Sequence, residues 1–526
     1  MYLRRQWGMT VGVLILLSVF VGREVYFRLI VPAAPLNFDE AAHSLPGYYM
    51  LRDFLNRDVR AFWGDFHIQT LWPPMFSILQ APILGLFGRT DETARFFAYL
   101  MLVAAVLLSC VLAREILHEV APERAPLAAW VAGLLALSAP GWLYVSSWAM
   151  QETPVAFMVL LVFYAYLRAR RRGRVLNYAV TGVLLFALFL TKYNYAAFAL
   201  AAIGLVDFAG RLRARRLRPA TFVALYAPFV LGLVMWFYTG TDIAPTEVKW
   251  RDFAFFVSNE NSGYEFWSEQ NLSYYVRSSA DWLMPHVLVL AATVVGALLA
   301  TRKVRHPGVA VLTIFFALGF VLATLHPLKS PRYITPIFPA LWLAAGIGAA
   351  VWARSRGRAR LIAAAALVTA IASWSFWLPR LQPVWAGDLA DDMRAATDQI
   401  VRWQDGAKPV LIIGTFGEMS PPLFEWRLRP LPTFANNPAV QYDAPPVEGA
   451  DDIARVQKWL GENPGAQVTL IALSKDSPLY NTSDMKNKNA WRQEIVARFG
   501  EVRGVRRIDE RVFENSGLIV SYWVSE

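Results

Sequence analysis

Apolar residues fall into eleven long runs, near 9–31, 93–113, 126–147, 153–167, 175–190, 194–210, 219–238, 282–300, 307–325, 334–353 and 361–378. Each is close to the roughly 20 residues needed to cross a bilayer as a helix, although 175–190 is short for it. Beyond residue 379 the pattern changes. Short apolar runs at 410–413, 468–471 and 518–520 alternate with helical periodicity at 388–403, 451–460 and 488–498. That alternation predicts a small α/β domain over 380–526, following a membrane domain over 1–379.

Composition agrees with this division. The chain is 56% hydrophobic and 17% charged, too apolar for a soluble protein of 526 residues. Its net charge of +11 suggests nucleic acid until it is apportioned: residues 1–379 hold 34 Lys and Arg against 20 Asp and Glu, and the tail holds 17 against 20. The excess belongs to the membrane part, which argues against a nucleic-acid partner. Basic residues collect in alternate loops, at 4–5, 114–124, 168–174, 211–218, 302–305 and 354–360. The positive-inside rule places those loops and the N-terminus in the cytoplasm, and segments 32–92, 239–281 and the tail outside. The first run is too long for a signal-peptide core and lacks a small-residue cleavage site, so it reads as a retained anchor. Cys110 is the single cysteine, which leaves no intramolecular disulfide.

The chemistry concentrates on the outer side. Asp39 and Glu40 are adjacent just after the first span, where a carboxylate can serve as a base toward a substrate partly in lipid. The same pair also suits the first turn of a helix beginning near Ala41. His43 lies one helical turn after Asp39, placed either to orient the carboxylate and touch a donor or simply to be hydrogen-bonded. Residues 45–55 and 75–87, separated by Trp72-Pro73-Pro74, read as two interfacial helices. Outer cations near span ends are candidates for a phosphate: Arg95, Lys192, Lys329 and Arg332. Snorkelling to the interface is the other use for Lys192, an interfacial anchor for Arg332, and an ion pair with Asp91 or Glu92 for Arg95. Segment 239–281 is rich in aromatic residues, Tyr264 and Trp267 among them, as a loop gripping sugar or lipid would be and as an aromatic belt would be.

Four motifs in order resemble the GT-C superfamily of glycosyltransferases, specifically the protein O-mannosyltransferase and aminoarabinose-transferase group known as family 39. They are Phe38-Asp39-Glu40-Ala41, Trp72-Pro73-Pro74, the stretch from Gly88 to Arg95, and Pro331-Arg332-Tyr333 with Pro336 and Pro339. The resemblance covers about residues 10–350. It implies a GT-C membrane fold of about eleven helices and an inverting transfer of sugar from a polyprenyl-phosphate or polyprenyl-diphosphate carrier. The acceptor would be a hydroxyl on a lipid, glycan or protein at the outer face of a bacterial-type inner membrane. Asp39 would be the general base, Glu40 its neighbour in the motif, and Tyr333 a substrate contact. No cofactor is certain. A divalent metal is possible if the chain follows the oligosaccharyltransferase branch, with Glu152 as the comparable outer acid. A lipid or sugar-lipid transporter is the alternative, although charged or broken mid-membrane helices in paired halves are not evident in the sequence.

Overall fold

The structure, a computed structural model, describes residues 2–118, 120–214, 218–239, 246–258, 268–279, 287–326, 329–353, 355–383, 386–403, 410–413, 421–427, 457–474, 499 and 505–525. Two compact units are present. One comprises Met1–Val31 with Pro46–Leu381, and the other Pro32–Leu45 with Gln382–Glu526.

In the first unit each of the eleven apolar runs contains helix among the described residues. They form α1 (Tyr2–Val25, continued by a π turn Tyr26–Ile30), α5 (Asp91–Leu117), α6 and α7 (Ala125–Ser138, Pro140–Val145), α8 (Glu152–Arg172) and α9 (Val175–Phe189). The remainder are α10 (Tyr193–Ala214), α11 (Pro219–Tyr238), α14 (Val287–Lys303), α15 (Pro307–Leu325), α16 (Phe338–Trp352) and α17 (Arg356–Trp377). Among the described residues, seven helices are long and apolar enough to cross a membrane, and α9, with 15 residues, is among the shorter apolar ones. The central element is α16: 89% of the residues in the apolar window it forms with the 3-10 segment Pro331–Ile337 are buried, against 17% in that of α17. Glycines allow its close packing. A side chain at Gly346 would strike the Ala128 carbonyl of α6, and one at Gly348 the Gly296 carbonyl of α14. Association of apolar helices in lipid depends on such close approach, because no hydrophobic gain accrues between them.

Segments 32–92 and 239–281 hold more helix than the sequence pattern predicts. The first contains α2 (Phe38–Leu55), α3 (Val59–His67) and α4 (Met75–Phe87). The helix expected over 45–55 begins seven residues earlier and runs through Pro46. Asp58 starts α3 by accepting a 2.9 Å bond from the Ala61 N–H, and Gly88, at φ 86°, ends α4. The aromatic segment 239–281 supplies α12 (Thr246–Ser258) and α13 (Glu269–Ser278).

The second unit contains α18 (Asp388–Trp403), α19 (Pro421–Arg427) and strands β1 (Val410–Ile413), β2 (Gln467–Leu473), β3 (Val505–Phe513) and β4 (Leu518–Ser525). The sheet order is β1-β2-β4-β3, with β1 parallel to β2 and the other pairs antiparallel. One face of α18, carrying Ala390, Met393, Ala396 and Ile400, packs with Ile471, Leu518 and Val520. Ala34 joins that core, and Arg394 Nη1 donates to the Ala33 carbonyl at 2.9 Å. The helical periodicity at 488–498, most of that at 451–460, and the motif from Gly414 to Gly417, which is too short for a phosphate loop, lie outside the described residues.

Candidate active site

Glu152 opens α8, whose start is tied to α5 by the Thr153 hydroxyl donating to the Ala98 carbonyl at 2.8 Å. Lys192 stands in the short turn between α9 and α10. Its ammonium donates to Glu152 Oε1 at 3.1 Å, with the carboxylate buried and the lysine side chain 13% exposed. The alternative of a lysine snorkelling into water is therefore not what the structure displays: the charge is held inward by an acid 40 positions away. The ammonium also lies 5.4 Å from the Tyr333 ring centre and 5.9 Å from that of Tyr195. The Tyr195 hydroxyl donates to the Tyr333 carbonyl, fixing the 3-10 segment that carries Arg332. Arg332 lies 5.3 Å from the Tyr333 ring and acts electrostatically on the Glu152 carboxylate. Two cations thus act on one acid in an aromatic setting, and cations so placed can hold an anion.

Lys329 is anchored to the backbone. It donates to the carbonyls of Ala323 and Thr324 at 2.9 and 2.7 Å, neutralising the C-terminal end of α15, and sits 4.8 Å from the Tyr275 ring. Burial pushes its ammonium down to about 8. Arg95 is buried in the second turn of α5, one turn after Asp91, in a helix whose N-cap Thr90 accepts from the Thr93 N–H at 3.0 Å. The nearby α4 is anchored where the Met75 N–H donates to the Leu190 carbonyl at 2.9 Å.

In the second unit, the start of α2 is a reciprocal cap. The Glu40 N–H donates to Asn37 Oδ1 at 3.0 Å, and Glu40 Oε2 accepts from the Asn37 N–H at 3.2 Å. The capping expected of the acidic pair thus involves Asn37 and Glu40. Asp39 is half-buried within the first turn, and Glu40 and His43 are buried. Tyr264 and Trp267 lie outside the described residues.

One Glu152 oxygen is engaged by the Lys192 ammonium and the other is buried without a hydrogen bond, and among the described residues no group of three His, Cys, Asp or Glu could hold an ion.

Sequence patterns missed a third cluster. Lys249 of α12 is fully buried and bonded to His67 Nδ1 at 2.6 Å, the Trp236 carbonyl at 2.8 Å and the Thr239 carbonyl at 3.0 Å. Its ammonium lies 4.5 Å from the Trp236 ring, and the Thr70 hydroxyl bonds to Asp252 on the same helix. The available signal was a lone lysine among aromatic residues, Lys249 beside Trp250.

No protein-family model and no curated protein matches the sequence. Solved structures do match. ArnT from Cupriavidus metallidurans bound to undecaprenyl phosphate is 16% identical, with 97% of each chain covered and a TM-score of 0.61. The same protein in its apo state gives 17% identity, 97% of each chain and 0.58. The oligosaccharyltransferase AglB from Archaeoglobus fulgidus, in complex with an inhibitory peptide and a dolichol-phosphate, gives 11% identity, 92% of this chain, 71% of that chain and 0.51. The chain is therefore a multi-pass membrane protein with the GT-C fold. Within that fold it is ArnT-like along its length.

Proposed function

We propose that the protein is an inverting glycosyltransferase that moves a sugar from a polyprenyl-phosphate or polyprenyl-diphosphate carrier to an acceptor hydroxyl at the outer face of a bacterial-type inner membrane. The N-terminus is cytoplasmic and the C-terminal domain lies outside. The observation carrying this reading is the paired cation site, Lys192 and Arg332 around Glu152 and Tyr333, in a chain with the GT-C fold. Two proteins of similar fold were solved with undecaprenyl phosphate and dolichol-phosphate, which supports a polyprenyl carrier for this one.

The chemistry divides between the ends of the bond that breaks. Asp39 takes the proton from the acceptor hydroxyl as its oxygen attacks the anomeric carbon from the face opposite the phosphate. The carbon–oxygen bond to the carrier phosphate breaks, its electron pair stays on the phosphate, and the configuration inverts. Lys192 and Arg332 stabilise that growing negative charge, and Arg95 contributes a further cation. Glu152 is a positioning residue: it holds the Lys192 ammonium in place. Glu40 holds the helix start that presents Asp39, with His43 and Tyr333 as contacts for donor or sugar. Lys329, through its bonds to the end of α15, supports the loop bearing Arg332. The transporter alternative gains no support from the fold.

Purified protein, given a radiolabelled polyprenyl-phosphate sugar and membrane extract, is expected to transfer label to an acceptor. Asp39→Asn should lose the transfer, and Lys192→Met and Arg332→Ala should raise the donor concentration required. Full transfer by Asp39→Asn would remove the base, and donor dependence unchanged in both cation variants would remove the phosphate site.

A further inference from the structure

At the opposite end of α8 from Glu152 is a cavity of about 200 Å³ that the transfer chemistry does not use, lined by Glu115, Leu167, Arg170, Arg171, His306 and Pro307. Arg171 is 19 residues beyond Glu152 on one helix. At a rise of 1.5 Å per residue that places it roughly 28 Å away, about one hydrocarbon thickness, on the face bearing the basic loops.

The cavity is built from three helices. The C-terminal part of α5 contributes Glu115, the last turns of α8 contribute Leu167, Arg170 and Arg171, and the start of α15 contributes His306 and Pro307. Gly308 permits this meeting, because a side chain there would collide with Ile116 and Leu167. Both guanidinium groups are positioned. Arg171 Nη1 donates to both Glu115 oxygens at 3.0 Å, and Arg170 Nη1 donates to the Tyr166 hydroxyl at 2.9 Å and lies 3.9 Å from Asp207. Asp207 also pairs with Arg211, so three arginines share two acids and one positive charge is left over. The described contacts engage Nη1 of each guanidinium, a group with five N–H donors, and the two side chains are 27% and 41% exposed. Leu167 and Pro307 give the wall an apolar part.

We propose that this cavity binds the phosphate headgroup of an anionic glycerophospholipid from the cytoplasmic leaflet. Fixed arginine forks match phosphate oxygens, an apolar wall suits the adjoining glycerol and acyl carbons, and the surrounding basic loops concentrate anionic lipid at this face. The proposal is independent of the transfer reaction assigned to the other end of the helix.

The test uses the full-length protein in neutral detergent, with native mass spectrometry and thermal unfolding as readouts. The probes are phosphatidylglycerol, phosphatidylcholine with the same acyl chains, and inorganic phosphate. Phosphatidylglycerol should bind saturably and raise the unfolding midpoint, with phosphatidylcholine about tenfold weaker or worse. Arg170→Gln with Arg171→Gln should weaken phosphatidylglycerol about tenfold. Arg358→Gln with Arg360→Gln, an equal charge change on the same face, should leave it bound. Should the first double variant fail to fold, His306→Trp fills the cavity and leaves both arginines in place; it too should weaken binding. Equal binding of the two lipids, an equal loss in the α17 control, or undiminished binding in His306→Trp would overturn the site. Displacement of the lipid by inorganic phosphate at similar concentration would overturn the lipid as its occupant in favour of a soluble anion.

Discussion

Asp39 and Glu40 are neighbours with separable duties, because a helix start needs one capping partner and Glu40 supplies it. The reciprocal bonds join Asn37 and Glu40, with Asp39 between them in the first turn. Asn37→Ala should cost about 1 kcal/mol, seen as a lower unfolding midpoint, with transfer by the folded protein retained. Asp39→Asn should shift stability by less than about 1 kcal/mol and reduce transfer about 10²- to 10⁴-fold. Parallel losses of stability and transfer in both variants would reduce Asp39 to a helix-start acid. Glu152 and Lys192 pose the complementary case of a buried pair. Glu152→Gln leaves an ammonium facing Arg332 without its acid, at a cost of about 3–5 kcal/mol by denaturant titration. Adding Lys192→Met should restore part of that stability while the donor requirement stays high. Purely additive losses would show that the two side chains are uncoupled.

Among the elements, α3 and α12 are joined through His67 and Lys249, and both groups are tuned by the junction. Burial, with the Lys249 charge second, holds His67 down to about 4 from 6.5. Between those values the unfolded chain takes up a proton that the folded chain does not, so stability is complete above about pH 6.5 and falls toward pH 4. Burial also lowers Lys249 to about 8 from 10.5, so its contribution makes stability rise between those values. Unfolding midpoints measured across pH should show a steeper acid limb in wild type than in His67→Gln, and a smaller alkaline rise in Lys249→Met; identical profiles would refute the linkage. The junction was illegible in sequence because its partners are 182 positions apart. By contrast, α5, α8, α11 and α15 are long apolar runs, and α18 and β1 coincide with the residues their periodicity marks. What escaped were short amphipathic or charged elements. The nine residues of α3, and α12 and α13 within a stretch dominated by aromatic residues, carry too little apolar run to stand out. β3 is an edge strand with the sequence Val-Arg-Arg-Ile-Asp-Glu-Arg-Val-Phe, mostly exposed, and charge of that kind protects an edge from pairing while erasing the strand pattern. The candidate residues Glu152, Lys192 and Arg332 were legible as outer charges at span ends, yet their convergence on one acid required the fold.

Over the whole molecule, the C-terminal domain packs with the segment that carries the proposed base. Residues Pro32–Leu45, which include Asp39, belong to the compact unit formed by Gln382–Glu526. Ala34 is buried in that unit's core with Met393 and Leu518, and Arg394 holds the Ala33 carbonyl. A chain ending at residue 381 would keep every helix from α3 to α17 and every candidate cation, but would lose the surroundings of the segment leading into α2. Such a truncated protein should insert and retain the spectroscopic helix content of the membrane part, yet transfer no labelled sugar. Arg394→Ala in the full-length chain gives a finer comparison, because it removes the 2.9 Å bond to Ala33, together with the local pair to Asp391, and leaves the domain core of α18 and the sheet in place. Loss of that bond should cost about 1–3 kcal/mol locally, read as faster amide exchange over residues 32–40 and a smaller, measurable fall in transfer. Transfer by the truncated chain at the full-length rate would show that the tail does not hold the Asp39 segment in its working form. Loss in the truncation with none in Arg394→Ala would place the support in the apolar contact of Ala34 instead.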